Sequence, residues 1–325
     1  MLAAYRIADK GLELRLLGED GAVPPEAAWV DLLQPTPAED RATEAFISAS
    51  IPTREESQEI EFSSRFYTED NAVFMTASLL TGVDKGEPRL TPFTVVVAGD
   101  RIATIRYAEF HALSQFLARA TKPAGGCTSP PAVFLGLIEA IVDRTADVLE
   151  RISGDIDRIN AEIFARRKDV RQRGRRLEVL IGEVGVQGDL AAKARECLSS
   201  LERLVQYAGL ALPPPYAKSS HRARLKLIGR DIRSLEDHVT FLSNKINFLL
   251  DASLGLISVE QNEVIRVLTV AATVFFPPTL IGTVYGMNFR WMPELAWPFG
   301  YPLAIVLMLA SAVAPFVYFR RRGWL

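Results

Sequence analysis

Cysteine and histidine are nearly absent from this chain: two cysteines, Cys127 and Cys197, and three histidines in 325 residues. No CxxC pair and no Cys/His cluster occurs, which argues against a disulfide framework and a structural zinc site. Net charge is only −2 at pH 7, so no strong basic field marks nucleic acid as the partner. Phosphate loops, nucleotide fingerprints and Ser/His/Asp arrangements are missing too, so neither a nucleotide nor catalytic chemistry is expected. The first 17 residues carry Arg6, Asp9, Lys10, Glu13 and Arg15 and lack the apolar length of a signal peptide.

The most consequential absence is of charge near the C-terminus. Residues 267–289 form a run of 23 without a charged side chain, and residues 295–319 a run of 25. Each exceeds the roughly 18–20 residues that carry a helix across a bilayer. Basic residues set the expected orientation. Arg320, Arg321 and Arg322 follow the second span, Lys245 and Arg266 precede the first, and the loop between holds one Arg and one Glu. Positive charge inside puts both termini in the cytosol and the loop outside. At 49 % hydrophobic, the chain can supply two spans and still bury a large cytosolic core.

Ahead of the spans, residues 1–125 read as a mixed α/β domain. Strands are expected at 12–17, 72–81, 91–98 and 101–106 and helices at 38–49 and 109–120, with Gly/Asp turns between. Residues 122–131, with Gly125-Gly126 and Pro130-Pro131, are the expected linker. A helical region, 126–262, follows. Its first helix, 132–167, is acidic, with Asp143, Asp147 and Glu150 on one face, and leads into a basic cluster from Arg166 to Arg176. Near a membrane that cluster could meet anionic lipid or surround a cation path.

No proline occurs between Pro215 and Pro277, and a helix over 219–276 would be about 87 Å long. Its apolar positions, Leu225, Ile228, Ile232, Leu235, Val239, Leu242, Ile246 and Leu249, step by 3 and 4, the seam of helix-on-helix packing. The helix enters the first span without a breaker, so a cytosolic event could reach the membrane mechanically.

Within the two-span region, 263–325 with Asn262 just before it, the same spacing puts Asn262, Ile265, Thr269, Ala272, Phe276, Thr279 and Thr283 on one face, with Leu268 beside them. That face is polar at its ends and apolar in its middle. It leads to Gly286-Met287-Asn288 where the span meets water. Threonine in a membrane helix often bonds back to its own backbone, and two on the face that ends at Asn288 point to a water-lined path. Two helices cannot enclose a conduit, so a pore requires several copies, with its apolar middle able to gate by dewetting.

The spans and their loop hold a single carboxylate, Glu294. A carboxylate ring would bind a bare divalent ion tightly, whereas magnesium keeps its octahedral waters. A ring of Asn288 amide oxygens and Gly286 carbonyls could accept hydrogen bonds from those waters. An inside-negative potential contributes about 2.3 kcal/mol per charge per 100 mV, and about twice that for a divalent ion. The chemistry fits a hydrated cation without naming the metal.

The text Tyr285-Gly286-Met287-Asn288-Phe289, then Met292-Pro293-Glu294-Leu295, Phe299-Gly300-Tyr301-Pro302 and the ending Tyr318 to Leu325 resembles the CorA magnesium transporters, particularly the proteobacterial type. The match reaches back through 247–251 and 262–265, with weaker echoes at 63–67 and 144–157.

The resemblance implies an α+β cytosolic domain plus long helices, followed by two C-terminal transmembrane helices, in a funnel-shaped homopentamer of the bacterial inner membrane. It implies passage of Mg²⁺, and of Co²⁺ or Ni²⁺. Gly286, Met287 and Asn288 would form the filter, Thr279 and Asn262 polar rings, and Ile265 and Leu268 the hydrophobic gate. Asp251 matches a regulatory site between subunits where cytosolic Mg²⁺ holds the closed state, and Asp84 is the candidate partner carboxylate. Arg290 departs from the pattern, since a carboxylate usually follows the filter. Two rivals stay open: a Zn²⁺ transporter of the same superfamily, with or without proton coupling, and a non-conducting membrane-anchored coiled-coil sensor.

Overall fold

The computed structural model describes residues 1–8, 11–15, 21–122, 127–165, 170–288, 292–293 and 297–324. It divides into two compact units: Met1–Phe164 with Gly182–Leu249, and Ala165–Ile181 with Leu250–Leu325.

The first unit holds a seven-stranded sheet. Its strands are β1 (Leu2–Ala8), β2 (Gly11–Arg15), β3 (Trp29–Leu33), β4 (Phe66–Glu69), β5 (Ala72–Thr81), β6 (Arg89–Ala98) and β7 (Arg101–Arg106). They lie in the order β2-β1-β3-β7-β6-β5-β4. Only β3 and β7 pair in parallel; the others are antiparallel. The strands expected at 72–81 and 101–106 form with those limits, and β6 begins two residues early. In place of the strand expected at 12–17 stands β2.

Strands β1, β3 and β4 have no counterpart in the sequence reading. The middle of β3 explains why, because Asp31 interrupts an otherwise apolar strand and is itself buried, at 3 % exposure. Thr104 Oγ1 donates to its carboxylate at 2.7 Å and Arg106 grips both oxygens. Register brings these partners together, with Asp31 opposite Thr104 and Leu33 opposite Arg106. Trp29, two residues earlier on that face, donates from its indole to Thr104 Oγ1 and stacks on Tyr5. A buried charge that loses its partner costs roughly 3–5 kcal/mol, so the pair holds β3 against β7 in this register.

Helix α1 (Pro37–Ile47) starts at a Thr36/Glu39 capping box and stops at Ser48 in the left-handed region. Two short helices follow, α2 (Arg54–Gln58) and α3 (Phe62–Arg65), then α4 (His111–Ala120). Of the expected linker, 123–126 lie outside the described residues; Cys127 is buried and Ser129 caps α5 (Pro130–Ile163). Gly136 of α5 lets the helix close on Phe116 of α4, where an added Cβ would sit 2.9 Å from the ring. Helix α5 therefore belongs to the same unit as the sheet. It ends at Ile163, four residues short of the expected 167. In the basic cluster, residues 166–169 lie outside the described residues. Both cysteines are buried and outside any disulfide, and burial pushes Cys197 up to about 11.

Helix α6 (Val170–Ala211) and helix α7 (Ser219–Tyr285) complete the helical part. The 3–4 seam of α7 is where the sequence places it. Leu225, Ile228, Ile232, Val239, Leu242, Ile246 and Leu249 are buried, and Leu235 is half-buried. Burial of each such side chain contributes about 1.5–3 kcal/mol relative to exposure. Leu225 and Ile246 pack over Gly209 and Gly188 of α6. Ion pairs flank the seam, Arg224 with Glu139 and Lys245 with Asp157 of α5. α7 is unbroken for 67 residues, so it begins in the first unit and ends in the second. It runs through Pro277 and Pro278, which lack the N–H groups that would bond the carbonyls of Thr273 and Val274. Helix α8 (Gly300–Arg321) follows.

Candidate functional site

The second unit sorts α7 into two faces. Arg266, Val270, Val274, Pro277, Ile281 and Tyr285 are buried or half-buried and recur at steps of 3 and 4. Gly282 belongs to this covered stripe, and a Cβ built on it would lie 3.7 Å from Met308 of α8. On α8 the matching stripe is Gly300, Ala304, Met308, Ser311, Ala312 and Pro315, mostly small residues that let two membrane helices approach. Sequence reading did not separate this face. The small-residue spacing at 300, 304, 311 and 312 was the available signal.

Every residue expected to line a pore falls on the other face. Asn262, Ile265, Leu268, Thr269, Ala272, Phe276, Thr279 and Thr283 are all exposed. The apolar members are far from buried, with Ile265 at 60 %, Leu268 at 69 % and Phe276 at 68 % exposure. Large apolar side chains bare on one helix face, interleaved with an amide and hydroxyls, are what a contact between copies or a lumen requires. A face meant only for lipid would have no use for Asn262 or the hydroxyls.

The threonines bond as the backbone-bonding reading anticipates. Thr269, Thr279 and Thr283 donate at 2.8 Å to the carbonyls of Ile265, Phe275 and Thr279. That bond does not remove them from a water path. A hydroxyl whose proton is committed to the helix still has two lone pairs with which to accept. On this face each threonine oxygen is then an acceptor, suited to the outward-pointing hydrogens of a hydrated cation.

The helix ends at Gly286-Met287-Asn288. Gly286 N–H donates to Gly282 and Thr283 carbonyls at 3.0 and 3.1 Å, and Met287 N–H to Val284 at 3.3 Å. A Cβ on Gly286 would come within 3.2 Å of the Gly282 carbonyl, which explains glycine in this last turn. Asn288 and Met287 are exposed just beyond it. The negative pole of a helix lies at its C-terminus, and here that pole points at Asn288. Phe289, Arg290, Glu294 and Leu295 lie outside the described residues.

The two candidate regulatory carboxylates differ. Asp251 is exposed on α7 in the second unit. Asp84, in the first unit, is engaged: Arg144 contacts both its oxygens at 2.6 and 2.7 Å, and Arg151 lies 3.6 Å away. The hydrogen bond from Arg144, with the charge of both arginines, holds its carboxyl below the usual range. A dication at Asp84 would compete with Arg144 for the carboxylate. Among the described residues no three His, Cys, Asp or Glu side chains of one chain gather as a metal site.

An α/β body, and a helix continuous from it that is one of two C-terminal helices long and apolar enough to cross a membrane, fit an integral membrane protein. The sequence matches the family described as CorA-like Mg2+ transporter protein over residues 26–321. The chain belongs to that family. The magnesium transport proteins CorA of Yersinia pseudotuberculosis and of Escherichia coli K12 are each 30 % identical over 325 residues, covering all of both chains. The complete structure of the CorA magnesium transporter from Methanocaldococcus jannaschii has a TM-score of 0.79 at 16 % identity, covering 100 % of this chain and 99 % of that one. At that identity the likeness speaks for the fold.

Proposed function

We propose that this protein is a Mg²⁺ channel of the bacterial inner membrane, working as a homopentamer with both termini in the cytosol and closed by cytosolic Mg²⁺. The observation that carries the reading is the exposed face of α7, away from α8. It runs from Asn262 through Ile265, Leu268, Ala272 and Phe276 to Thr279 and Thr283, and the helix ends at Asn288. Copies arranged with these faces inward enclose a lumen that neither helix could form alone.

A hydrated dication entering from outside meets amide oxygens at Asn288 and the negative poles of the helices. It then passes the lone pairs of Thr283 and Thr279. These acceptors hold the ion's waters without stripping them, which suits an ion that dehydrates reluctantly. Co²⁺ and Ni²⁺ carry similar octahedral shells and are expected to pass as well. Farther in, Phe276, Leu268 and Ile265 form an apolar constriction that conducts when wet and closes when dry. The membrane potential drives the flow, so no nucleotide is needed. Asp251, exposed on the same helix, is the proposed Mg²⁺ sensor. Asp84 serves as its partner only where Mg²⁺ outcompetes Arg144.

Replacing Asn288 with Ala tests the filter. In a host dependent on this protein for Mg²⁺, the variant should reach the membrane yet fail to support growth at low Mg²⁺. Undiminished growth would count against the channel.

A further inference from the structure

At the boundary opposite Asn288, both apolar segments stop on arginine: Arg266 before the first and Arg320, Arg321 and Arg322 after the second. The contact of Gly282 with Met308 fixes how they line up. Arg266 lies sixteen residues before Gly282, about 24 Å along the helix. The same distance along α8, which returns antiparallel, leads from Met308 to the turn that follows Arg321. Arg320, Arg321 and Arg322 lie twelve to fourteen residues past Met308, about 18–21 Å, so they fall within about one helical turn of the level of Arg266. Arg266 is also on the stripe of α7 that faces α8.

Among the described residues none of the four donates a hydrogen bond to a carboxylate. Arg266 Nε is buried and has no hydrogen-bond partner among them. Its nearest carboxylate, Glu263, is 3.8 Å from another nitrogen of the guanidinium, beyond hydrogen-bond reach. Glu260 is turned elsewhere, against Gly174 of α6. Among the described residues no carboxylate pairs with Arg320, Arg321 or Arg322, all of them exposed. Arg322 lies over the Tyr318 ring at 5.3 Å, and Trp324 stacks on Phe319 at 5.1 Å. Aromatic rings beside arginines at the end of an apolar helix are the composition of a membrane–water interface.

We propose that Arg266 and the Arg320–Arg322 turn form a headgroup site for an anionic phospholipid. Guanidinium groups match phosphate oxygens two at a time, and a lipid phosphate is the anion found at this depth. Its acyl chains would lie along the apolar surface of α8, where Val313, Phe316 and Val317 are exposed. The site rests on α7 and α8 crossing a bilayer and is independent of conduction.

The test uses the full chain in nanodiscs of phosphatidylcholine, alone or with phosphatidylglycerol. Phosphatidylglycerol should raise Tm by several degrees and remain bound in native mass spectrometry. The Arg266→Gln variant should keep its Tm in phosphatidylcholine and lose the phosphatidylglycerol shift. Arg266→Lys, which keeps the charge without the planar fork, should retain part of it. Glycerol phosphate added to phosphatidylcholine discs should do nothing; an equal shift would make this a free-phosphate site and overturn the lipid. The proposal also fails if Arg266→Gln keeps the full lipid shift, or lowers both Tm values equally, the sign of a structural arginine paired within the assembly.

Discussion

In the proposed channel Asn288 would read an ion with a neutral amide, and Asp84 shows what a charged group does instead. Its carboxylate is held by Arg144 and, farther off, by Arg151. A pKa lowered on folding stabilises the native state above the ordinary value of 3.8 and loses that contribution as pH falls through the lower folded value. Thermal unfolding of wild type should therefore show an acid-side loss below pH 3.8 that Asp84→Asn lacks. At neutral pH the substitution should cost under about 1 kcal/mol, because the side chain is 55 % exposed and screened. A neutral-pH loss of several kcal/mol would contradict this picture of the pair.

At the scale of the element, α7 carries the argument. Leu242 is fully buried in its seam and Leu235 only half so. Leu242→Ala should destabilise by about 2–5 kcal/mol and Leu235→Ala by clearly less, as denaturant midpoints of the purified protein would show. Equal effects would mean that the seam is not what holds the helix. This seam was legible in the sequence because a 3–4 spacing over eight residues has no other economical explanation. The exposed face of Asn262, Thr279 and Thr283 was legible because it repeats with the same period, out of phase with the seam, whose steps run on instead to the covered Val270, Val274, Pro277 and Ile281. Strand β3 was not, because Asp31 looks like a break until Arg106, 75 residues on, arrives to neutralise it. Helix α6 was not, because its glycines at 174, 182, 185 and 188 and its outward Val179 and Val186 blur the apolar stripe. Asp84 as a metal ligand rested on the resemblance, which called for a partner carboxylate in the N-terminal domain, and Arg144 could not be seen beside it.

For the whole molecule, the proposed channel would couple a sensor to a gate along one helix. Asp251 and the proposed constriction at Ile265 and Leu268 lie on α7 with no break between them. Mg²⁺ should protect the purified protein from proteolysis, and Asp251→Lys should weaken that protection. Unchanged protection would remove Asp251 as a sensor and leave the pore reading intact. Family membership adds the transporter class to what the fold alone supports, and the ion remains a matter of flux. The most direct measurement is uptake into liposomes bearing the purified protein, with an inside-negative potential, comparing Mg²⁺, Co²⁺ and Zn²⁺ with and without a pH gradient. The account predicts potential-driven Mg²⁺ and Co²⁺ entry, indifferent to the pH gradient and abolished by Asn288→Ala. Zn²⁺ entry that requires the pH gradient, or no flux of any ion, would contradict it.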